Sequence, residues 1–319
     1  MNAVMFPGDI TQVHGIRVGQ KESESARTGV TVVLCRKEGA TGGVSVRGAA
    51  PGTRETDLLK PGNLVEKAHA VVLAGGSAYG LEAACGVMRC LEQMGVGLDM
   101  GDALVPIVPS AVLYDLGVGD SRVRPDAAMG RAACMASQKG VTQGRCGAGA
   151  GATVGKLVPG TVPQDSGVGS ASITLPEGVT VGAIVAVNAV GDVYDIRTGE
   201  MIASAHMPDG TPISAEGLLW GHAPAPKQPR IPAPGSNTTI GVVAVDCKLT
   251  KEEANRLADV AHDGLARAIR PVHTQMDGDT MFALATGRVD AEVNFVKLCA
   301  AAAEVTARAI VNAVLASKA

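Results

Sequence analysis

The chain has 319 residues, 46% hydrophobic and 18% charged, the balance of a globular protein and far from that of a disordered one. A formal net charge of -3 and an aromatic content of 2% argue against general attraction to nucleic acid or anionic membrane and against a base-stacking surface. The 41 glycines let backbone segments approach closely at an entropic cost, so extensive packing, in part between subunits, is expected.

Gly29–Cys35 suits a strand, and Gly39–Pro51 is glycine-rich. Ala68–Ala74 reads as a buried strand, followed by a Gly75-Gly76-Ser77 turn. Ala78–Met94 is then a helix, with Leu81, Ala84, Cys85, Met88 and Leu91 on one face. A second helix is expected from Pro125 to about Gln138, ended by Gly140. Gly144–Lys156 sustains no regular pattern, and Ser170–Leu175 and Thr180–Val190 read as strands. Seven prolines between His206 and Asn237 predict a long loop. Thr238–Asp246 is an interior strand. Thr250 and Glu253 have capping-box spacing for a helix to about Ile269. Its apolar stripe is Leu257, Val260, Ala261, Leu265 and Ala268. Phe282–Ala285 gives a short strand and Val289–Leu315 a long helix. Mixed strands and helices without regular alternation predict a layered α/β fold, a pair of sheets covered by helices on both outer faces. A single domain over residues 1–319 is expected.

The seven cysteines, Cys35, Cys85, Cys90, Cys134, Cys146, Cys247 and Cys299, form no C-x-x-C pair. They read as free thiols in a reducing compartment, without a zinc cluster. The first residues lack a basic region followed by an apolar stretch, and Val181–Val190 is too short to cross a bilayer. A cytoplasmic protein with no metal or organic cofactor is the expectation.

The Asn237–Thr238 junction places a hydroxyl at the start of an apolar strand, after an exposed loop. If the bond before Thr238 is cut, that residue holds a hydroxyl nucleophile and a free amine whose ordinary pKa of about 8 suits a base. On the residues alone an ordinary turn and strand is the stronger reading. Asp277 and Asp279, separated by glycine, enter the strand containing Phe282. They suit holding an ammonium and a hydroxyl, or a plain turn. Lys156 ends the glycine-rich segment, and Asn188 interrupts an apolar run, where a buried amide suits donation to an oxyanion or a satisfied strand end. Two familiar motifs fail. A phosphate loop needs glycine where Ala150 stands and a hydroxyl where Leu157 stands, and a nucleophile elbow at Ser77 needs glycine where Tyr79 stands. A Ser77–His273 hydrolase is the rival left by the residues alone.

Ala74-Gly-Gly-Ser-Ala-Tyr-Gly-Leu-Glu82, Gly149–Lys156, Asn188, the run Asn237-Thr-Thr-Ile-Gly-Val-Val-Ala and Asp277–Thr286 together resemble the L-aminopeptidase/D-esterase family. That family includes beta-aminopeptidases and nylon-oligomer hydrolases, and the resemblance covers nearly the whole chain. It implies a four-layer αββα sandwich, similar to N-terminal nucleophile hydrolases but differently connected, cut by itself into 1–237 and 238–319. It further implies Thr238 as nucleophile, Asp277, Asp279 and Lys156 beside it, and Tyr79 and Asn188 at the oxyanion and substrate, with Ser77 near the substrate. Many members carry serine at the cut, and Thr238 departs from them as the nylon-oligomer hydrolases do. The implied activity is hydrolysis of short amino-acyl amides, peptides or esters by a homo-oligomer, often a tetramer of processed units. The alternatives are endo-type cleavage of oligoamides, or amino-acid N-acetyl transfer of the ornithine acetyltransferase type.

Overall fold

The computed structural model describes residues 5–157, 160–222 and 237–318. In chain order the strands of the two large sheets are, in the first half, β1 (Arg17–Ser23), β2 (Thr28–Leu34), β3 (Ala40–Val46), β4 (Gly52–Arg54), β5 (Lys67–Ala68), β6 (Ala70–Ala74) and β7 (Ser110–Val112). Those of the second half are β8 (Val168–Thr174), β9 (Thr180–Asn188), β10 (Thr238–Val245) and β11 (Thr280–Ala285). The helices are α1 (Ala83–Gln93), α2 (Ala127–Met135), the short α3 (Ala215–Leu219), α4 (Lys251–Ala268) and α5 (Phe295–Ser317). One sheet has the order β1-β2-β6-β7-β4, and the other β8-β9-β10-β11-β3-β5.

Alternation along each strand divides the apolar residues among three layers. Val33, Val71 and Leu73 of the first sheet meet Ile184, Ile240, Val242 and Phe282 of the second, forming the centre. The opposite face of the first sheet, with Val30, Val32 and Val72, is covered by Ala83, Val87 and Leu91 of α1 and Ala133 of α2. The opposite face of the second, with Val181, Val185 and Val243, is covered by Leu257 and Leu265 of α4 and Val305 and Ile310 of α5. The result is the expected αββα sandwich. Gly169 in β8 lets α5 lie directly on the sheet, because a Cβ there would collide with the Ala309 carbonyl.

By length and composition α5 could cross a membrane, but 67% of its most apolar window is buried inside the fold. That burial accounts for its apolar character. It starts at Phe295 rather than the expected Val289, because Asn294 accepts a hydrogen bond from Val296 N (2.8 Å) and caps it. Upstream, the Arg288 and Val289 amides are held by the Asp246 carbonyl at 2.6 and 2.8 Å. The expected Ala78–Met94 helix is divided: Ser77–Glu82 is a 3-10 turn entered through left-handed Gly76 (φ 79°). The buried face of α1 is Ala83, Ala84, Val87, Cys90 and Leu91, one step round from the expected stripe. Cys85 and Met88 turn instead toward the Arg54 guanidinium, at 3.0 and 3.1 Å. The glycine-rich Gly39–Pro51 region holds β3, where Gly43 is pressed against the backbone of α4 at Ala254. α4 opens with the expected capping box at Thr250 and Glu253. Within the proline-rich stretch, α3 is capped by Ser214, and residues 223–236 of the expected loop lie outside the described residues. All seven cysteines are free.

Candidate active site

Strand register gathers the candidate residues at one end of the second sheet. Thr238 opens β10 and stands opposite Asn188, the last residue of β9. β11 runs parallel to β10 on its other side, so the Asp277–Asp279 turn that feeds β11 lies beside the same end. Asn237 and Asp277 form a parallel bridge there. Thr238 is 2% exposed. Its Oγ1 donates to the carbonyl oxygen of Asn237, and the Gly278 amide donates to that oxygen at 3.0 Å. A Cβ on Gly278 would stand 2.6 Å from the Ala50 carbonyl oxygen and 2.8 Å from Thr238 Oγ1. Glycine alone leaves both groups in place.

The two carboxylates are held differently. Asp279 Oδ1 accepts from the Thr239 amide at 2.7 Å, and its Oδ2 accepts from His273 Nδ1 at 2.8 Å and from the His273 amide at 3.2 Å. Asp277 Oδ2 accepts from the amide and hydroxyl of Thr274 at 2.8 and 2.6 Å. Burial, reinforced by the neighbouring Asp279, pushes Asp277 up to about 6, against the Thr274 hydrogen bonds and the charge of Lys156.

Opposite them, Asn188 is fully buried. Its Oδ1 accepts from Lys156 Nζ at 2.6 Å and from the Thr153 amide at 3.1 Å, and its Nδ2 donates to the Tyr114 carbonyl at 3.0 Å. Lys156 Nζ also donates to the Asn188 carbonyl at 3.0 Å. Burial lowers Lys156 to about 7 against the pull of Asp277, Asp115 and Asp279. One of the two amide hydrogens of Asn188 is thus committed to Tyr114, and its side chain orients Lys156.

The structure brings Thr238, Asn188, Asp277 and Asp279, all buried, together with the partly exposed Lys156 into one cluster. Tyr79 is 59% exposed, with the Arg124 guanidinium 3.7 Å above its ring. Ser77 sits in the turn before α1, where its amide bonds the Leu113 carbonyl at 2.9 Å. Neither shares a hydrogen bond with the cluster among the described residues. His273 is bonded to Asp279 and not to Ser77, which removes the Ser77–His273 arrangement. Two residues were missed. One is His273 in its pairing with Asp279. The other is Asp115, which is buried, accepts from the Gly76 amide at 2.7 Å and is raised by burial against the pull of Thr28 and Lys156. The available signal for Asp115 was a carboxylate in the turn just after an apolar strand.

A cleft of about 680 Å³ opens beside the cluster, lined by Lys156 and Thr153 together with Tyr114, Arg27 and Val162. Among the described residues no group of three His, Cys, Asp or Glu side chains is placed to hold a metal ion. What the cluster offers is a buried hydroxyl on a carbonyl, an amide donor on the same oxygen, and titratable groups shifted toward neutrality.

The family model described as peptidase family S58 matches residues 8–319. An uncharacterized aminopeptidase of Mycobacterium leprae is 45% identical, covering 97% of this chain and 90% of its own. A 6-aminohexanoate-oligomer endohydrolase of Kocuria sp. is 35% identical over 86% of this chain and 74% of its own. Among solved structures, the L-aminopeptidase D-Ala-esterase/amidase of Ochrobactrum anthropi, a variant of the Ntn hydrolase fold, superposes with a TM-score of 0.73 at 23% identity. That match covers 99% of this chain and 88% of the other. A Burkholderia sp. beta-aminopeptidase gives 0.70, also at 23% identity, over 98% and 88%. At that identity the likeness is one of fold.

Proposed function

On the premise that this chain belongs to peptidase family S58, we propose that it cuts its own Asn237–Thr238 bond and then uses Thr238 to hydrolyse short amino-acyl amides, peptides or esters. Its class, a hydrolase of the aminopeptidase and amidohydrolase kind, follows from the family and the relatives. The observation that carries the self-cutting reading is the contact of Thr238 Oγ1 with the carbonyl it would attack, while Gly278 donates to the same oxygen.

In that reaction Oγ1 attacks the Asn237 carbonyl carbon, and the carbonyl oxygen takes up negative charge facing the Gly278 amide. The C–N bond breaks, the Thr238 nitrogen receives the hydroxyl proton, and Asn237 is left as an ester on Oγ1. Water then releases the Asn237 carboxylate, leaving Thr238 with a free amine. In later cycles this amine takes the hydroxyl proton as Oγ1 attacks a substrate carbonyl, and returns it to the leaving amine; water clears the acyl group. Asp277 and Lys156, both shifted toward neutrality, suit proton holding at that end of the sheet. Thr238 stands in an assigned role here; Tyr79, Ser77 and Asn188 stay candidates for substrate contacts. The same reading includes assembly of the processed units and a cytoplasmic setting, in keeping with the glycine-rich composition and the free cysteines.

A second reading, endo-type cleavage of an oligoamide, is favoured by the 35% identity with the oligomer endohydrolase. Oligoamides with free and with acylated amino ends separate the two: an aminopeptidase requires the free end, an endohydrolase does not. Mass spectrometry of purified protein tests the common step. Two chains meeting at Asn237/Thr238 are expected, and one unbroken chain from Thr238→Ala. A fully active protein that stays in one piece overturns the proposal.

A further inference from the structure

We propose that His273 is a positioning residue: it aims the Asp279 carboxylate at the amino end of Thr238. The inference rests on the self-cutting reading above. Asp279 Oδ1 is bonded to the amide of Thr239, one residue beyond the nucleophile. The orientation of this carboxylate therefore governs how it meets the Thr238 nitrogen as that nitrogen changes from amide to amine. Its other oxygen, Oδ2, is gripped twice by one residue, by the ring Nδ1 and the backbone amide of His273. With one oxygen fixed on β10 and the other on His273, the carboxylate has no freedom to rotate about its last bond. Facing a carboxylate oxygen at 2.8 Å, Nδ1 carries the proton.

His273 is itself held for this purpose. Its backbone is left-handed (φ 56°), which costs a residue of this type energy and is tolerated where surroundings enforce it. The ring meets His262 of α4 edge to face, with centroids 4.8 Å apart. His262 is anchored by its Nε2 on the Ser45 carbonyl at 3.0 Å. Burial lowers His262 to about 4, so at neutral pH it backs the His273 ring as an uncharged wall. Farther out, Arg47 is neutralised by Asp259 at 2.6 Å. The charged neighbours of Asp279 itself are Asp277 and Lys156. Among the described residues His273 Nε2 has no hydrogen-bond partner, so the polar contact this ring makes there is the one with Asp279.

The left-handed backbone supplies the test, because glycine and asparagine both adopt it readily. His273→Gly removes the ring donor without backbone strain, and His273→Asn restores an N–H at the same distance along the side chain. Self-cutting is followed on denaturing gels, and kcat and KM on an amino-acid amide. His273→Gly is expected to slow cutting and lower kcat about tenfold with little change in KM, as for loss of one hydrogen bond to a charged group. His273→Asn is expected to recover most of that loss. In an Asp279→Asn background, His273→Gly should add nothing, since both act through one carboxylate. Melting midpoints verify the fold, and should the glycine variant not fold, wild-type rates in Asp279→Asn alone, which removes the carboxylate that His273 aims, overturn the inference. Wild-type rates in His273→Gly, an asparagine variant as slow as the glycine one, or additive losses in the double variant each overturn the inference. A wild-type protein that never cuts itself sinks the proposed function instead.

Discussion

At the scale of single residues, the cluster turns on what Gly278 leaves unfilled. Added at that position, a methyl group would press on Thr238 Oγ1 and on the Ala50 carbonyl, and the hydroxyl would leave the carbonyl it faces. Gly278→Ala is expected to slow self-cutting on the order of a hundredfold, the usual effect of displacing a reacting atom by about an ångström. A time course on denaturing gels measures it. Melting would register a smaller loss, about 1–3 kcal/mol for overpacking. Asn188 and Lys156 were legible as polar residues out of place, in an apolar run and closing a glycine-rich segment, whereas Thr238, Asp277 and Asp279 fit an ordinary strand and turn and were marked out by the family resemblance. Their partners were not. His273 reaches Asp279 through a left-handed backbone, and Asp115 approaches Lys156 from the other sheet. No spacing rule along the chain encodes either meeting. Tyr79 and Ser77 were singled out by a run of letters, and among the described residues neither shares a hydrogen bond with Thr238.

Among elements, strands and helices with a clean period were read within a few residues, as β2, β10, α4 and its capping box illustrate. β3 went unread because glycine is a poor strand former in isolation. It forms here because α4 needs a surface without side chains at Gly43. α1 turned by one residue because Arg54 draws Cys85 and Met88 outward. A buried carboxylate makes the most testable element-scale claim. Asp192 is fully buried; its Oδ2 accepts from the Ala215 amide at 2.6 Å and so fixes the start of α3, while its Oδ1 has no partner among the described residues. Burial pushes it up to about 7. Below the ordinary carboxylate pKa of 3.8 it is protonated folded or unfolded, and its ionisation costs nothing. As pH rises toward 7 the unfolded chain releases this proton first, so the contribution to stability falls, and the full penalty is present above 7. Asp192→Asn is therefore expected to leave stability near wild type at pH 4 and to raise it by about 2 kcal/mol at pH 8. Urea midpoints at the two pH values check the sign.

On the scale of the whole molecule, the proposed cut falls inside a sheet and not between modules. Residues after it supply β10 and β11, flanked by β9 on one side and β3 on the other, both from before the cut. They also supply α4 and α5, which cover that sheet. The two pieces are expected to travel together in native gel filtration and to separate only in denaturant. Residues 1–237 produced alone should lack native circular dichroism, and producing 238–319 in the same cell should restore it. Layering was readable from alternation along the strands. The order of strands was not, since β3 joins β11 across more than 200 residues of sequence, and contacts that distant leave no local trace. Under the proposed self-cutting, this interleaving would make catalytic birth conditional on architecture. Thr238 meets its carbonyl, Gly278 and the paired acids only when both halves of the sheet have closed around it, so on that proposal a misassembled polypeptide would carry no working nucleophile. A cell making this protein would then acquire no stray amidase from its folding failures.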